Sequence, residues 1–289
     1  MVQDAMSLNL TQIGDEPTRH IVRLPDLDVA VRRIFPLDRF LDIVRSKQMG
    51  LVAPHTWEDP REDPTALCLL DGSGLSPPKA PQDLSAYLAP VWAQCWSLNP
   101  GSDTLLRAYS RVRINPQSRR NDDRESEGVI VTTTVRHLLS AMEGWHADGA
   151  DCQFVIGRVE YIADGEIGQR IVNACNTEGY GPTFFRTLQG RAESLLWKRT
   201  YFGHEREVRL MLIARNWPSD QRVPPFRNLR VKPDVLFHSV SLDPRLDVFE
   251  RAEREAEIRD AGYAGQIVRD DSYQKTINRL AMKREWPDP

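Results

Sequence analysis

The stretch FGHEREVRLML, Phe202 to Leu212, limits the fold more than any other part of the chain. In an extended strand alternate side chains share a face. Val208, Leu210 and Leu212 then form one apolar row, while Glu205, Glu207 and Arg209 form a charged row on the other face. The apolar row requires a packed layer against it, so the chain must build a sheet with a core. The charged row is either an ion-paired outer face or the wall of a site. Two neighbouring carboxylates repel each other. Arg209 can neutralise one, and the repulsion then raises the proton affinity of the other.

Other segments alternate between short strands and helices. VRRIF (Val31–Phe35) predicts a strand. PLDRFLDIVRSK follows as a helix, with Pro36 at its start and Leu37, Phe40, Leu41 and Val44 at helical spacing. LVAP, AQCWS, VIVTTT, FVIGRVEYIA, EVRLMLIA, VLFHSVSL and GQIVRD predict further strands, with Gly157 a possible break in the fourth. SDTLLRAYSRV predicts a helix capped by Ser102, VRHLLSAMEGW another, and Thr183–Lys198 a third. Residues 71–90 and 115–128 predict loops, the first rich in Pro, Gly and Ser, the second highly charged. The long amphipathic run from Asp243 to Gly262 predicts a helix with a solvated charged face and no function of its own. No internal repeat or linker divides the chain. The expectation is an irregular N-terminal arm over 1–28 and a single α+β domain of short mixed strands and packed helices over 29–289.

The net charge of −3 gives no global case for a nucleic-acid or membrane surface. The N-terminal residues lack the pattern of a signal peptide, and no apolar run reaches the roughly 18 residues that a membrane helix needs. Cys68, Cys95, Cys152 and Cys175 are widely spaced with no CxxC pair, which disfavours a disulfide scaffold or zinc ribbon and makes a reduced, cytoplasmic protein the expectation. Neither a P-loop nor a GxGxxG loop occurs, and no HExxH or paired-histidine spacing points to a metal. His204 beside Glu205 reads first as a structural histidine, and Cys95 beside Trp96 as a buried thiol.

Three sets of residues invite chemistry. Arg32 and Arg33 lie among apolar residues of one strand, and an arginine on an inner face needs a carboxylate or a phosphate. Ser97 ends the strand AQCWS, where it either faces a cleft or caps the turn before Asn99-Pro100. Glu205 and Glu207 follow the aromatic and basic segment LLWKRTYF, a combination suited to an aromatic, anionic ligand.

In order along residues 31 to 275, RRIFPLDRFLDIVRSKQMGLVAPHTWEDPRE, AQCWSLN, LLRAYS, EGVIVTTTVRHL, GRVEYI, LLWKRTYFGHEREVRLML, the VKPDV segment and IVRDDSYQKT resemble the bacterial family known as domain of unknown function 2971. Arg107 departs from that family's more usual Trp, and the loop 113–127 is longer. A second resemblance is to ADP-ribosyltransferases of the Arg–Ser–Glu class, whose three elements occur here in the same order as Arg32 or Arg33, Ser97, and Glu205-Arg206-Glu207. That resemblance implies NAD as substrate and no metal. The arginine holds a phosphate or ribose, Ser97 the nicotinamide ribose, and Glu207 the oxocarbenium-like transition state. Glu205 deprotonates or positions the acceptor, and Trp197, Tyr201 or Phe202 stacks on nicotinamide. The acceptor is left open among protein, nucleic acid and water, in a toxin or anti-phage setting. Two other readings stand beside it. One is a non-catalytic binding or sensor protein of a defence system. The other is a nuclease whose metal is held by Glu205, Glu207, Asp59 and Glu62, with Lys198 near the scissile phosphate.

Overall fold

The computed structural model describes residues 11–12, 19–142, 152–176, 178–218, 222–274, 277 and 279–285, with the backbone alone at 11–12 and 19–20. The fold is α+β, as expected, and among the described residues its main body is one mixed sheet of ten strands. The glutamate strand, Glu207–Ala214, lies at its centre. It pairs antiparallel with the serine strand, Val91–Ser97, on one side and with Cys152–Arg158 on the other. Beyond Cys152–Arg158, Arg19–Val22 adds in parallel, and Thr11–Gln12 pairs with it. On the opposite side the sheet forks. The serine strand meets the arginine strand, Ala30–Pro36, at Ser97–Arg32, and meets Gln48–Val52 at Ala93–Val52. Gly128–Thr134 and Ser239–Leu242 extend the first branch, and Phe226–Arg230 extends the second.

The glutamate strand is buried over its whole length because both faces of the sheet are covered. Val208, Leu210 and Leu212 join the large core that includes Phe35, Phe40, Trp96 and Phe237. Met211 and Ile213 face a second core with Val155, Leu195 and Leu196. A two-sided sheet removes the solvated face that a charged row permits, so Glu207 and Arg209 are interior residues.

Local signals place the supporting elements. Leu37–Ser46 is helical and buries Leu37, Phe40, Leu41, Ile43 and Val44. Asp103–Tyr109 is helical, and the Ser102 hydroxyl accepts the Leu105 N–H at 3.2 Å, as the capping pattern requires. Other expectations need correction. The irregular arm of residues 1–28 contains the strand Arg19–Val22 and the buried Leu24, while its residues 1–10 and 13–18 lie outside the described residues. Leu69–Gly72 and Lys79–Asp83 form a hairpin that overlaps the loop expected over residues 71–90. The expected helix from Thr183 to Lys198 divides into a 3-10 segment, Gly181–Arg186, a short helix, Leu188–Ser194, and a strand, Trp197–Arg199. The VRHLLS run is helical, and Glu143 to Trp145 of its expected extension lie outside the described residues. GQIVRD contributes only a bridge, Ile267 to Val240. Within the helix Val248–Asp260, Glu250 and Arg254 are buried, and Arg254 pairs with Glu127 at 2.7 Å, so its charged face is only partly solvated.

Gly157 does not break its strand. A Cβ there would lie 2.5 Å from Leu196 Cδ1 and 3.1 Å from Val22 Cβ, so the glycine is what lets Leu196 pack onto the sheet. Gly157→Ala is expected to destabilise by about 1–3 kcal/mol through overpacking, read from the midpoint of urea unfolding. An unchanged midpoint would show that Leu196 shifts freely.

Candidate active site

Three residues distant in sequence lie in one row across the fork. Arg32 is the register partner of Ser97, and Ser97 is the register partner of Glu207. Directly opposed residues of antiparallel strands project to the same face. The row therefore presents a guanidinium, a hydroxyl and a carboxylate side by side. A cavity of about 350 Å³ opens there, and Arg32, Arg33, Ser97, Glu205 and Glu207 all line it. This volume lies within the range of small-molecule sites. Much of the remaining wall is apolar, from Ile34, Trp96, Leu105, Leu106, Tyr109 and Ile130.

The two arginines carry unmet hydrogen-bonding capacity. Arg32 Nε donates to Thr132 Oγ1 at 3.3 Å, and Arg33 Nη1 donates to the Cys95 carbonyl. Arg33 also lies over the Phe35 ring at 5.2 Å. Arg32 Nη1 and Arg33 Nε are buried without a partner. A buried donor left unsatisfied costs about 1–3 kcal/mol. An anionic ligand in the cavity would remove that cost, and phosphate oxygens suit the guanidinium fork.

Ser97 satisfies both readings made of it. Its hydroxyl accepts the Asn99 N–H at 3.0 Å, as a turn cap does, and donates to the Glu205 carbonyl at 2.5 Å while lining the cavity. The second bond shapes the E-x-E segment. Glu205 ends a 3-10 turn, Thr200–Glu205, and Arg206 takes the left-handed conformation at φ 48, ψ 52 before the strand starts at Glu207. The expected continuous strand is thus bent between the two glutamates. A non-glycine residue in that region carries a cost of about 1–2 kcal/mol. Ser97 and the bond from Leu98 N–H to the Arg206 carbonyl, 2.9 Å, hold the bend in place.

Behind the cavity the carboxylates meet two cations. Lys198 Nζ lies 2.6 Å from Glu205 Oε2, 2.9 Å from Glu207 Oε1 and 3.1 Å from Glu62 Oε1. Arg209, wholly buried, donates to Glu207 Oε2 at 2.9 Å, to Glu62 Oε2 at 2.6 Å and to the Leu195 carbonyl at 2.8 Å. Its guanidinium lies 4.8 Å over the Trp57 ring. The 3-10 turn Pro60–Glu62 supplies Glu62, and the buried pair Arg191–Asp63 at 2.5 Å anchors the residue that follows it. Tyr161 Oη accepts the Glu207 N–H at 2.8 Å.

This cluster separates the two glutamates. Burial opposes the charge on Glu207, but Arg209 and then Lys198 outweigh it and hold its carboxyl well below the usual range. Glu205 is pushed up to about 7, first by burial and then by its hydrogen bond to ionised Glu207. The Lys198 ammonium and the Arg209 guanidinium are each held charged against burial, with Glu207 the largest favourable influence on both. At neutral pH the site pairs a fixed carboxylate with one that is poised to exchange a proton.

The aromatic residues expected to stack on a ligand are not in the cavity. Trp197 is 3 % exposed and packs in a third core with Ile162, Ile167 and Phe185. Tyr201 is 83 % exposed and contacts Phe202 edge-on. Neither lines the site: Trp197 alternates with Lys198 along its strand and so points away from the carboxylates that Lys198 reaches, and Tyr201 points to solvent from the turn Thr200–Glu205. Tyr109, from the helix opposite, and Tyr273, whose hydroxyl bonds Asp103, stand at the wall instead. Burial, with Glu205 and Glu207 nearby, raises the Tyr109 phenol to about 12. Tyr109 belongs to the helix predicted from SDTLLRAYSRV, and only the fold turns it toward the carboxylates.

Glu62, Cys95 and Glu207 bring donor atoms within 4.8 Å of one another. The set does not suit a divalent ion, because Lys198 and Arg209 occupy both carboxylates. Burial also pushes the Cys95 thiol up to about 12, which keeps it protonated. Asp59 pairs with Arg199 at 2.5 Å instead of joining them. His204 offers its backbone carbonyl to Asn99 at 3.3 Å.

No protein-family model matches the chain, so membership of domain of unknown function 2971 is not confirmed. No curated protein matches it either. Among solved structures the chain is similar to DarT from Thermus sp. 2.9 in complex with ADP-ribosylated ssDNA, at 10 % identity and a TM-score of 0.34, over 84 % of this chain and 95 % of that one. It is similar to the same protein in complex with carba-NAD+, at 9 % identity and a TM-score of 0.35, and with NAD+, at 8 % and 0.35, in each case over 85 % of this chain and 97 % of the other. Likeness at this level carries no functional argument, and the chemistry rests on the cavity itself. Among the described residues no helix is long and apolar enough to cross a membrane.

Proposed function

We propose that the cavity binds NAD and that the protein breaks the nicotinamide–ribose bond, passing ADP-ribose to an acceptor or to water. The observation that carries this reading is the row Arg32–Ser97–Glu207 in one cavity, with unpartnered guanidinium nitrogens at one end and a fixed carboxylate at the other. The diphosphate supplies oxygens to Arg32, with Arg33 beside it. The ribose lies along Ser97 toward Glu207.

As the glycosidic bond breaks, its electron pair leaves with neutral nicotinamide and positive charge develops on the ribose. Glu207, ionised and held by Arg209 and Lys198, opposes that charge without first losing a proton. An incoming hydroxyl or amine bonds to the anomeric carbon, and its proton passes to Glu205. The acceptor is a macromolecule, protein or nucleic acid, or water in a glycohydrolase. Consumption of NAD by such a chain fits a toxin or anti-phage role in the bacterial cytoplasm.

Release of free nicotinamide from NAD tests the reading, with cell lysate supplied as a source of acceptors. Glu205 acts as a base only after losing its proton, so turnover is expected to rise with pH through about 7 and to fall below it. The ascending limb should vanish in Glu205→Gln. No release from folded wild-type protein across pH 5 to 9 would rule the proposal out. The sensor reading would then gain, because Glu205 and Glu207 are already ion-paired within the protein.

A further inference from the structure

Lys198 is the one described cation placed on Glu205. Its ammonium nitrogen lies on three carboxylates at once, whereas Arg209 reaches only Glu62 and Glu207. The side chain is 3 % exposed, fixed in the strand Trp197–Arg199, with its ammonium 4.7 Å over the Phe202 ring. That strand pairs in parallel with Glu160–Ile162, whose Tyr161 bonds the Glu207 backbone. Lys198 is thus set on a rigid element between the bend that carries Glu205 and the strand that carries Glu207.

We propose that Lys198 is a positioning residue that makes Glu205 usable as the proton acceptor beside an already ionised Glu207, an inference that rests on the NAD-cleaving reading of this cavity. Two negative carboxylates in hydrogen-bonding contact are unfavourable, and without an adjacent cation Glu205 keeps its proton. Among the described residues the groups that face Glu205 are Lys198 from the strand Trp197–Arg199, Glu207 from the glutamate strand, Tyr109 from the helix Asp103–Tyr109 and Tyr161 from the strand Glu160–Ile162. Of these only Lys198 is positive. Arg209 cannot replace it, since its donors are committed to Glu207, Glu62 and Leu195. In the transfer step the acceptor's proton moves to Glu205 while its oxygen or nitrogen bonds to the ribose carbon. Lys198 holds the receiving carboxylate in place and lowers its proton affinity enough for deprotonation at neutral pH.

Two readouts on Lys198→Met and Lys198→Arg test this. One is the 13C NMR titration of the glutamate carboxyl carbons, with Glu205 assigned by its loss in Glu205→Gln. The other is the pH profile of nicotinamide release. In Lys198→Met the Glu205 midpoint is expected to rise by at least about one pH unit, the lower end of the effect of an adjacent opposite charge. The ascending limb should move with it, leaving about tenfold less turnover on that limb at a given pH and recovery at higher pH. Lys198→Arg keeps the charge and should return both toward wild type.

An unmoved Glu205 midpoint in Lys198→Met overturns the inference. So does a loss of turnover that is equal at every pH, which is what a merely structural lysine predicts. Where Lys198→Met does not fold, the double variant Lys198→Met/Glu62→Gln removes one charge of each sign and leaves Glu205 untouched; the same rise is expected there, and its absence is decisive. The titration reads Glu205 without NAD. A wild type that releases no nicotinamide defeats the functional reading, while the NMR arm still decides the role of Lys198.

Discussion

Glu207→Gln is expected to lower nicotinamide release by roughly 10²–10³-fold or more, the scale of losing one preorganised electrostatic stabiliser. The substitution keeps shape and volume, so its effect isolates charge. Lys198 retains Glu62 and Glu205 as partners, and Arg209 retains Glu62 and the Leu195 carbonyl. The fold should therefore survive, as circular dichroism would show. Removing the neighbouring negative charge also lets Glu205 ionise more easily, so the variant keeps its base and lacks only the carboxylate facing the ribose. Turnover that stays near the wild-type rate would place the chemistry elsewhere. Single-turnover measurements sharpen the reading: a pure loss of rate at unchanged NAD affinity marks an interaction made in the transition state alone.

The largest effect on stability is expected at Arg209. Arg209→Ala leaves Glu207 buried against Lys198 alone and opens space beneath Trp57. Removing one partner of a buried ion pair costs about 3–5 kcal/mol, because the remaining charge is stranded. For a chain of this size that corresponds to a fall in melting temperature on the order of 10 °C. Arg107→Ala serves as the contrast. Its pair with Asp103 has side chains 57 % and 56 % exposed, and such a surface pair contributes about 0–1 kcal/mol. If both variants melt together with the wild type, the carboxylate cluster is not held by Arg209 and its rigidity must come from elsewhere.

The candidate site was partly legible in the sequence. Arginine, serine and glutamate stand in chain order on three stretches with strand-like patterns, and all five polar residues singled out there line the cavity. The aromatic candidates failed for a physical reason. Trp197 and Tyr201 are close to Glu205 in sequence, but Trp197 alternates with Lys198 on its strand and faces the third core, and Tyr201 faces solvent from the turn. Which side of the strand a residue takes, and not its distance along the chain, decides whether it reaches the site. Lys198 drew notice only as a nuclease residue and Glu62 only as a metal ligand, because nothing local reveals that the two side chains meet across a sequence separation of 136.

Strand character, helix starts and the α+β class follow from periods and caps that act within a few residues. The alternation in the glutamate strand declares which side chains share a face. It is silent about what covers that face, and here the second core buries Glu207 and Arg209 where a solvated ladder was equally compatible with the pattern. The fork in the sheet is likewise tertiary. Register between strands is set when their apolar rows meet across the core, and a slip of one residue would send Arg32, Ser97 and Glu207 to opposite faces. The sequence by itself determined which residues were available for chemistry. Only the pairing of three distant strands decided that Arg32 is in register with Ser97 and Glu207, and only the packing of Lys198 and Arg209 against the buried carboxylates sets the proton affinities of the two glutamates apart.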